Sequence, residues 1–194
     1  MDQRNALRQQ LRARRRELSP RQQRRAAERL AKALECWRPF QQAQRVAVYL
    51  PNDGELDPGL LTRTCWASGK QVYLPALRGF GPPLLWFLPY HPGQRLQANR
   101  FGIPEPWPQT RPARPRQLDM VLTPLVGFDA TGNRLGMGGG FYDRSFAFLN
   151  RHPRWRRPAL VGVAHAFQQV PALPAQPWDV PLIAVATDRG LLTL

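Results

Sequence analysis

Lysine is almost missing from this 194-residue chain: Lys32 and Lys70 stand alone, although lysine and arginine together number 28. Against 13 acidic residues this gives a formal charge of +15, which selects anionic partners such as nucleotides, nucleic acid, acidic metabolites or an anionic membrane. So uniform a bias toward arginine is also what coding composition produces, so the charge names a class of partner and no function. Cysteine is equally scarce. Cys36 and Cys65 form no CxxC or zinc spacing, which excludes a disulfide framework or structural zinc and suits a reducing cytoplasm. Serine occurs only at Ser19, Ser68 and Ser145, never inside GxSxG, so a serine-hydrolase elbow is excluded. The three histidines, His91, His152 and His165, have no metal-site spacing, and each fits a loop or strand end. Long apolar runs are also lacking. Met1 to Gln10 is polar, which predicts no secretory leader, and the longest uncharged stretch, Pro158 to Trp178, is broken by Pro171, Pro174 and Pro177, which predicts no membrane span.

The length suits one domain over residues 1–194 with a sizeable core. From Gln3 to Leu34, leucines and alanines recur at helical spacings among many arginines, predicting two helices. Ser19, Pro20 and Gln22 form an N-cap, a first-turn proline and a capping-box partner, so the second helix begins there, and Pro39 is expected to end it. From Arg45 the pattern changes to short apolar runs. Strands are predicted at Val46–Leu50, Gln71–Leu74, Leu84–Leu88, Met120–Thr123, Leu160–Ala164 and Leu182–Ala186. A helix from Asp57 to Ser68 joins the first two, implying a right-handed parallel crossover, and a further helix is predicted from Phe141 to Asn150. The proline-rich stretch Ile103 to Pro115 is expected to be a surface loop. These elements predict a three-layer α/β sandwich around a mostly parallel sheet.

The densest chemical signal is Leu125 to Arg144, reading LVGFDATGNRLGMGGGFYDR. Gly136, Gly138, Gly139 and Gly140 let the backbone approach a ligand and present several N–H groups together, as phosphates require. The loop ends at a predicted helix start, where anions are favoured, and Arg134 precedes it as a fixed planar cation. No Gly-Lys-Ser/Thr follows, and Phe141 stands where a Rossmann motif needs its third glycine. A hinge without a ligand is the plainer reading of such a cluster. Asp143, in the first helical turn, suits either a magnesium ion or the helix dipole. Phe141 and Tyr142 suit stacking on a ring or packing in the core.

Six blocks in order, YLPNDGELD (from Tyr49), VYLPAL (from Val72), FGIPEP (from Phe101), TPLVGFD (from Thr123), NRLGMGGGFYDR (from Asn133) and WDVPL (from Trp178), resemble the 5-formyltetrahydrofolate cyclo-ligase family, nearly end to end. The resemblance implies a fold similar to the NagB/RpiA/CoA-transferase group. It also implies an ATP- and magnesium-dependent closure of 5-formyltetrahydrofolate to 5,10-methenyltetrahydrofolate, with release of ADP and phosphate.

By that resemblance, Arg134, Leu135, Gly136, Met137, Gly138, Gly139, Gly140, Phe141 and Tyr142 cradle the nucleotide, Arg134 and Tyr142 act at the reacting centre, and Asp143 holds the magnesium. Asp179 is a second contact near the metal. Arg4 and Arg8, one helical turn apart, stand where the family carries a basic pair, with Arg4 replacing the usual lysine. Met137 and Gly139 stand where some relatives are basic. Leu50, Glu55 and Phe101 take the folate. The resemblance implies a cytoplasmic monomer acting on a small folate, which extends to a polyglutamylated one, with neither nucleic acid nor membrane as partner. The alternative from another class is a basic nucleic-acid-binding module; no RNP, KH or zinc-finger signature accompanies the arginines.

Overall fold

Ser19 closes the gap between two arginine-rich helices, α1 (Gln3–Arg16) and α2 (Pro20–Glu35). Its hydroxyl accepts the Gln22 N–H at 3.3 Å while its own N–H donates to the Gln22 side chain at 2.8 Å; the expected capping box is present. α2 ends at Glu35, ahead of the expected Pro39 stop. Pro39 instead sits in the first turn of a short α3 (Arg38–Gln42), where its missing N–H removes no helical bond. The computed structural model describes residues 3–78, 82–107, 111–151 and 157–194; His152 and part of the proline-rich stretch lie outside these.

The main sheet is built from β1 (Arg45–Ala47), β2 (Gln71–Leu77), β3 (Leu85–Pro89), β6 (Met120–Pro124), β9 (Ala159–Val163), β10 (Ala184–Thr187) and β11 (Gly190–Thr193), in the order β11-β10-β9-β6-β1-β2-β3. The pairs among β10, β9, β6, β1 and β2 are parallel; β3 and β11 add antiparallel edges. The crossover from β1 through α4 (Gly59–Ala67) to β2 is parallel as expected. β4 (Leu96–Ala98) pairs with β5 (Pro104–Pro106), and β7 (Gly127–Phe128) with β8 (Arg134–Leu135). These two hairpins and β11 carry no strong period in the sequence, and β5 converts part of the expected proline-rich loop into a strand.

Alternation along the central strands sets the layers. Val72, Leu74, Met120, Leu122, Val161, Val163, Ala184 and Ala186 face Leu30 and Leu34 of α2 and Leu61 of α4. Tyr73, Val121, Leu160 and Val185 face the other way, toward Phe146 of α5 (Phe141–Phe146), with Phe148 of α6 (Phe148–Arg151) packed at its margin. The result is a mostly parallel seven-stranded sheet between helical layers. The single helix expected from Phe141 to Asn150 breaks at Ala147, giving α5 and α6. Among the described residues, no helix is long and apolar enough to cross a membrane.

Loss of the Ser19 cap tests this local reading. Ser19→Ala is expected to lower the unfolding free energy by about 1 kcal/mol, seen as a lower urea midpoint with an unchanged m-value.

Candidate active site

Strand order reverses between β1 and β6: the chain runs from β1 outward to β2 and β3, and from β6 the other way to β9 and β10. At such a switch point, the loops leaving the carboxyl ends of the two strands part and leave a crevice. Here Tyr49 to Glu55, leaving β1, and Thr123 to Leu125, leaving β6, border a cavity of about 840 Å³.

The glycine loop forms one wall. Gly136 to Gly140 run between β8 and α5, and all line the cavity. Gly140 has φ +60, and a Cβ there would lie 2.9 Å from the Arg144 guanidinium, so the turn into α5 needs glycine. α5 has only six residues, too few for much macrodipole. An anion here would meet the loop's N–H groups and cations brought from elsewhere. Those cations come from α1. Arg8 Nε donates to the Gly136 carbonyl at 2.9 Å, and Arg4 lies on the same lining.

Arg134 is nearly buried and already engaged: its two terminal nitrogens donate to the Val180 carbonyl and to Asp143 Oδ1. The two residues expected to meet phosphate and metal are thus held to each other at the cavity edge. The Asp143 side chain keeps 22% of its surface exposed, and Asp179 lines the same cavity. Among the described residues, no group of three or more His, Cys, Asp or Glu could hold a metal. A single carboxylate with one neighbour fits a magnesium ion that keeps its waters and shares phosphate oxygens.

Leu50, Glu55 and Phe101 line the same cavity. Phe101 is 55% exposed and meets Phe141 edge-on, with ring centroids 6.3 Å apart. Burial raises the Glu55 pKa above the ordinary carboxylate value, opposed chiefly by the charge of Arg15. Burial, with Glu55 adding to it, pushes the Tyr142 and Tyr49 phenols well up. Both therefore remain protonated near neutrality, as hydrogen-bond donors need and bases do not. Tyr49 spends its proton on the Leu56 carbonyl.

Glu55 is placed by its neighbour Asp53, which three arginines of α1 grip. Arg12 Nε and Arg15 Nη2 reach Asp53 Oδ2 at 2.7 and 2.9 Å, Arg16 takes Oδ1, and Arg15 Nε donates to the Asp53 carbonyl at 2.7 Å. Burial works against ionisation of Asp53, but the hydrogen bonds from Arg16, Arg12 and Arg15 outweigh it and bring the pKa from 3.8 to about 2.

Fifteen of the sixteen residues expected at a site line this one cavity. Leu135 does not; its side chain packs in a small core cluster with Leu11, Val126 and Leu173. The sequence reading did not assign Asn52, Asp53, Tyr49 or Trp178, which also line it. The first three sit inside the quoted YLPNDGELD block, so their signal was adjacency to Glu55. Trp178, 64% exposed at the cavity, heads the WDVPL block. His165 is a strand-end residue as expected, its Nε2 3.2 Å from the Gly54 carbonyl.

Comparison with known proteins points the same way. Residues 1–188 match the model of the 5-formyltetrahydrofolate cyclo-ligase family. The chain is 44% identical over 178 residues to the 5-formyltetrahydrofolate cyclo-ligase of Escherichia coli K12, covering 91% of this chain and 96% of that one. To the Haemophilus influenzae cyclo-ligase it is 43% identical over 147 residues, or 74% and 75% of the two chains. The solved structure of Aquifex aeolicus 5,10-methenyltetrahydrofolate synthetase superposes with a TM-score of 0.81 at 29% identity, covering 98% of this chain and 92% of that one. The Mycoplasma pneumoniae synthetase gives 0.75 at 26%, covering 97% and 99%.

The Asp53 grip has a pH signature. A carboxyl group whose folded pKa lies below its unfolded value contributes stability above the unfolded value, 3.8, and loses it as pH falls toward about 2. Half-exposed Arg16 is screened by water, so the contribution is on the order of 1–2 kcal/mol. Urea titrations between about pH 5 and pH 2 should show that loss, and Asp53→Asn should start less stable and lose correspondingly less.

Proposed function

Since the chain belongs to the 5-formyltetrahydrofolate cyclo-ligase family, whose ligase activity closes 5-formyltetrahydrofolate to 5,10-methenyltetrahydrofolate, we propose that the 840 Å³ cavity is where ATP and the folate meet. The observation that carries this reading is convergence. The glycine loop, Arg4 and Arg8 of α1, and Leu50, Glu55 and Phe101 all line this one cavity.

The chemistry explains why a phosphoryl donor is needed. The N5-formyl group is an amide, so its carbon is a poor electrophile and its oxygen a poor leaving group. When that oxygen takes the terminal phosphoryl group, ADP departs and the carbon becomes iminium-like. The N10 amine then bonds to the carbon and gives up its proton; phosphate leaves with the former formyl oxygen, and the five-membered ring is closed. Positioning and charge neutralisation do most of the work in such a transfer.

In this proposal Gly136 to Gly140 offer backbone N–H groups to the phosphates, while Arg4 and Arg8 add positive charge. Tyr142, kept protonated, donates a hydrogen bond toward the reacting formyl group. Arg134 fixes Asp143, which would hold magnesium; there the ion would draw charge off the phosphate oxygens. Glu55 accepts from the donor-rich edge of the pterin, Leu50 packs against it, and Phe101 covers the ring. The same reading has one domain over residues 1–194, acting as a cytoplasmic monomer on a folate whose glutamate tail meets the surrounding arginines.

The test follows methenyltetrahydrofolate by its absorbance, with 5-formyltetrahydrofolate, ATP and magnesium present. The wild type is expected to form product. Asp143→Ala and Arg134→Ala are expected to lose about 10²-fold or more in kcat with far-UV circular dichroism unchanged. Full activity in Asp143→Ala contradicts the metal role, and activity without any nucleotide contradicts the phosphoryl step.

A further inference from the structure

Among the described residues of α1, only Leu11 and Arg15 are buried. The Arg15 side chain is 1% exposed, and a guanidinium is costly to bury unless its protons find acceptors. Two of its nitrogens do, on Asp53. The third, Nη1, has no hydrogen-bond partner and stands 3.8 Å from Glu55 Oε1. Holding α1 to the loop does not explain this burial, because Arg12 and Arg16 already engage both Asp53 oxygens from the more exposed side. What Arg15 adds is a dry positive charge behind Glu55.

We propose that Arg15 is a positioning residue of the cyclo-ligase, keeping Glu55 ionised and turned toward the folate without touching the substrate itself. The inference rests on the reading that Glu55 binds the pterin. The groups around Glu55 come from four directions: Arg15 and Arg12 from α1, Asp53 from its own loop, Tyr49 beyond β1, and Tyr142 from α5. Its Oε2 accepts the Asn52 N–H at 3.1 Å. Burial and the Asp53 charge favour the neutral acid, and Arg15 is the leading charge against it. A carboxylate can accept two N–H groups from a pterin edge, whereas a carboxylic acid turns one oxygen into a donor.

The experiment is the pH dependence of kcat/KM for 5-formyltetrahydrofolate at saturating ATP, which reports ionisations of the enzyme form that the folate meets. Wild type should lose activity on its acid limb as Glu55 takes up a proton. In Arg15→Met that limb should move up by about one pH unit or more, with KM for the folate rising more than kcat falls. Arg15→Lys, which keeps the charge, should restore the limb toward wild type. Asp53→Asn separates this role from simple anchoring. It loosens the same helix but removes a negative charge, so its limb should stay or move down.

An unmoved limb in Arg15→Met, or an upward shift of equal size in Asp53→Asn, overturns the proposal. Should Arg15→Met fail to fold, Arg15→Gln drops the charge while retaining donors for Asp53 and carries the same test. Glu55→Gln distinguishes the two levels of the argument: it should raise KM and abolish the limb. If it does neither, the pterin reading falls, and this inference with it. If it does both while the Arg15 variants leave the limb in place, only this inference falls.

Discussion

The grip of three α1 arginines on Asp53 is the constraint on which the cavity depends. Asp53 itself has φ +53, a conformation that side chains other than glycine adopt at a cost. Arg12, Arg15 and Arg16 hold it there from one side of α1. The next residue is Gly54, at φ +74, where a Cβ would stand 2.7 Å from the Arg15 carbonyl oxygen. Gln23 of α2 and His165, just beyond β9, both reach the Gly54 carbonyl. The turn from Asn52 to Glu55 therefore meets two helices and a strand end, and its last member, Glu55, lines the cavity. Four residues N-terminal to Arg12, on the same helical face, Arg8 is tied to the glycine loop. The same helix thus holds the loop of Glu55 at one end and the glycine loop at the other.

That arrangement suits a reaction between two anionic substrates. Bringing a polyphosphate and a folate together costs repulsion and entropy, which dipoles and cations fixed in advance would offset. In the proposed scheme the glycine loop offers its backbone N–H groups to the phosphates. Arg134 is spent on Asp143 and the Val180 carbonyl, so in the proposed scheme it orients a carboxylate, and Arg4 and Arg8 of α1 bring further positive charge to the lining. This is a different division of labour from the one that Arg134's place beside the glycines suggests.

What could be read from the sequence was local or periodic. The Ser19–Gln22 capping box, the parallel β1–α4–β2 crossover and the glycine loop each announce themselves within a few residues. What could not be read depends on contacts across the chain. Arg14, Arg15 and Arg16 are identical in type and adjacent, yet only Arg15 is buried; Arg16 also reaches Asp53 but stays exposed, and Arg15 packs against Gly54 as well. Leu135 sits in the most telling block and nonetheless points into the core, as one of two residues in a short hairpin strand must. The break at Ala147 and the two small hairpins escaped notice because short elements carry too few residues to show a period. The site was legible as a set of blocks, but the Arg134–Asp143 pairing and the Asp53 grip are products of the fold.

In the proposed reaction this cavity presents a terminal phosphoryl group to the formyl oxygen. Labelling that oxygen with ¹⁸O and analysing the products by mass spectrometry tests it most directly. Phosphate released with ring closure should carry the label and ADP should not. Label appearing in water, with unlabelled phosphate, would contradict the account.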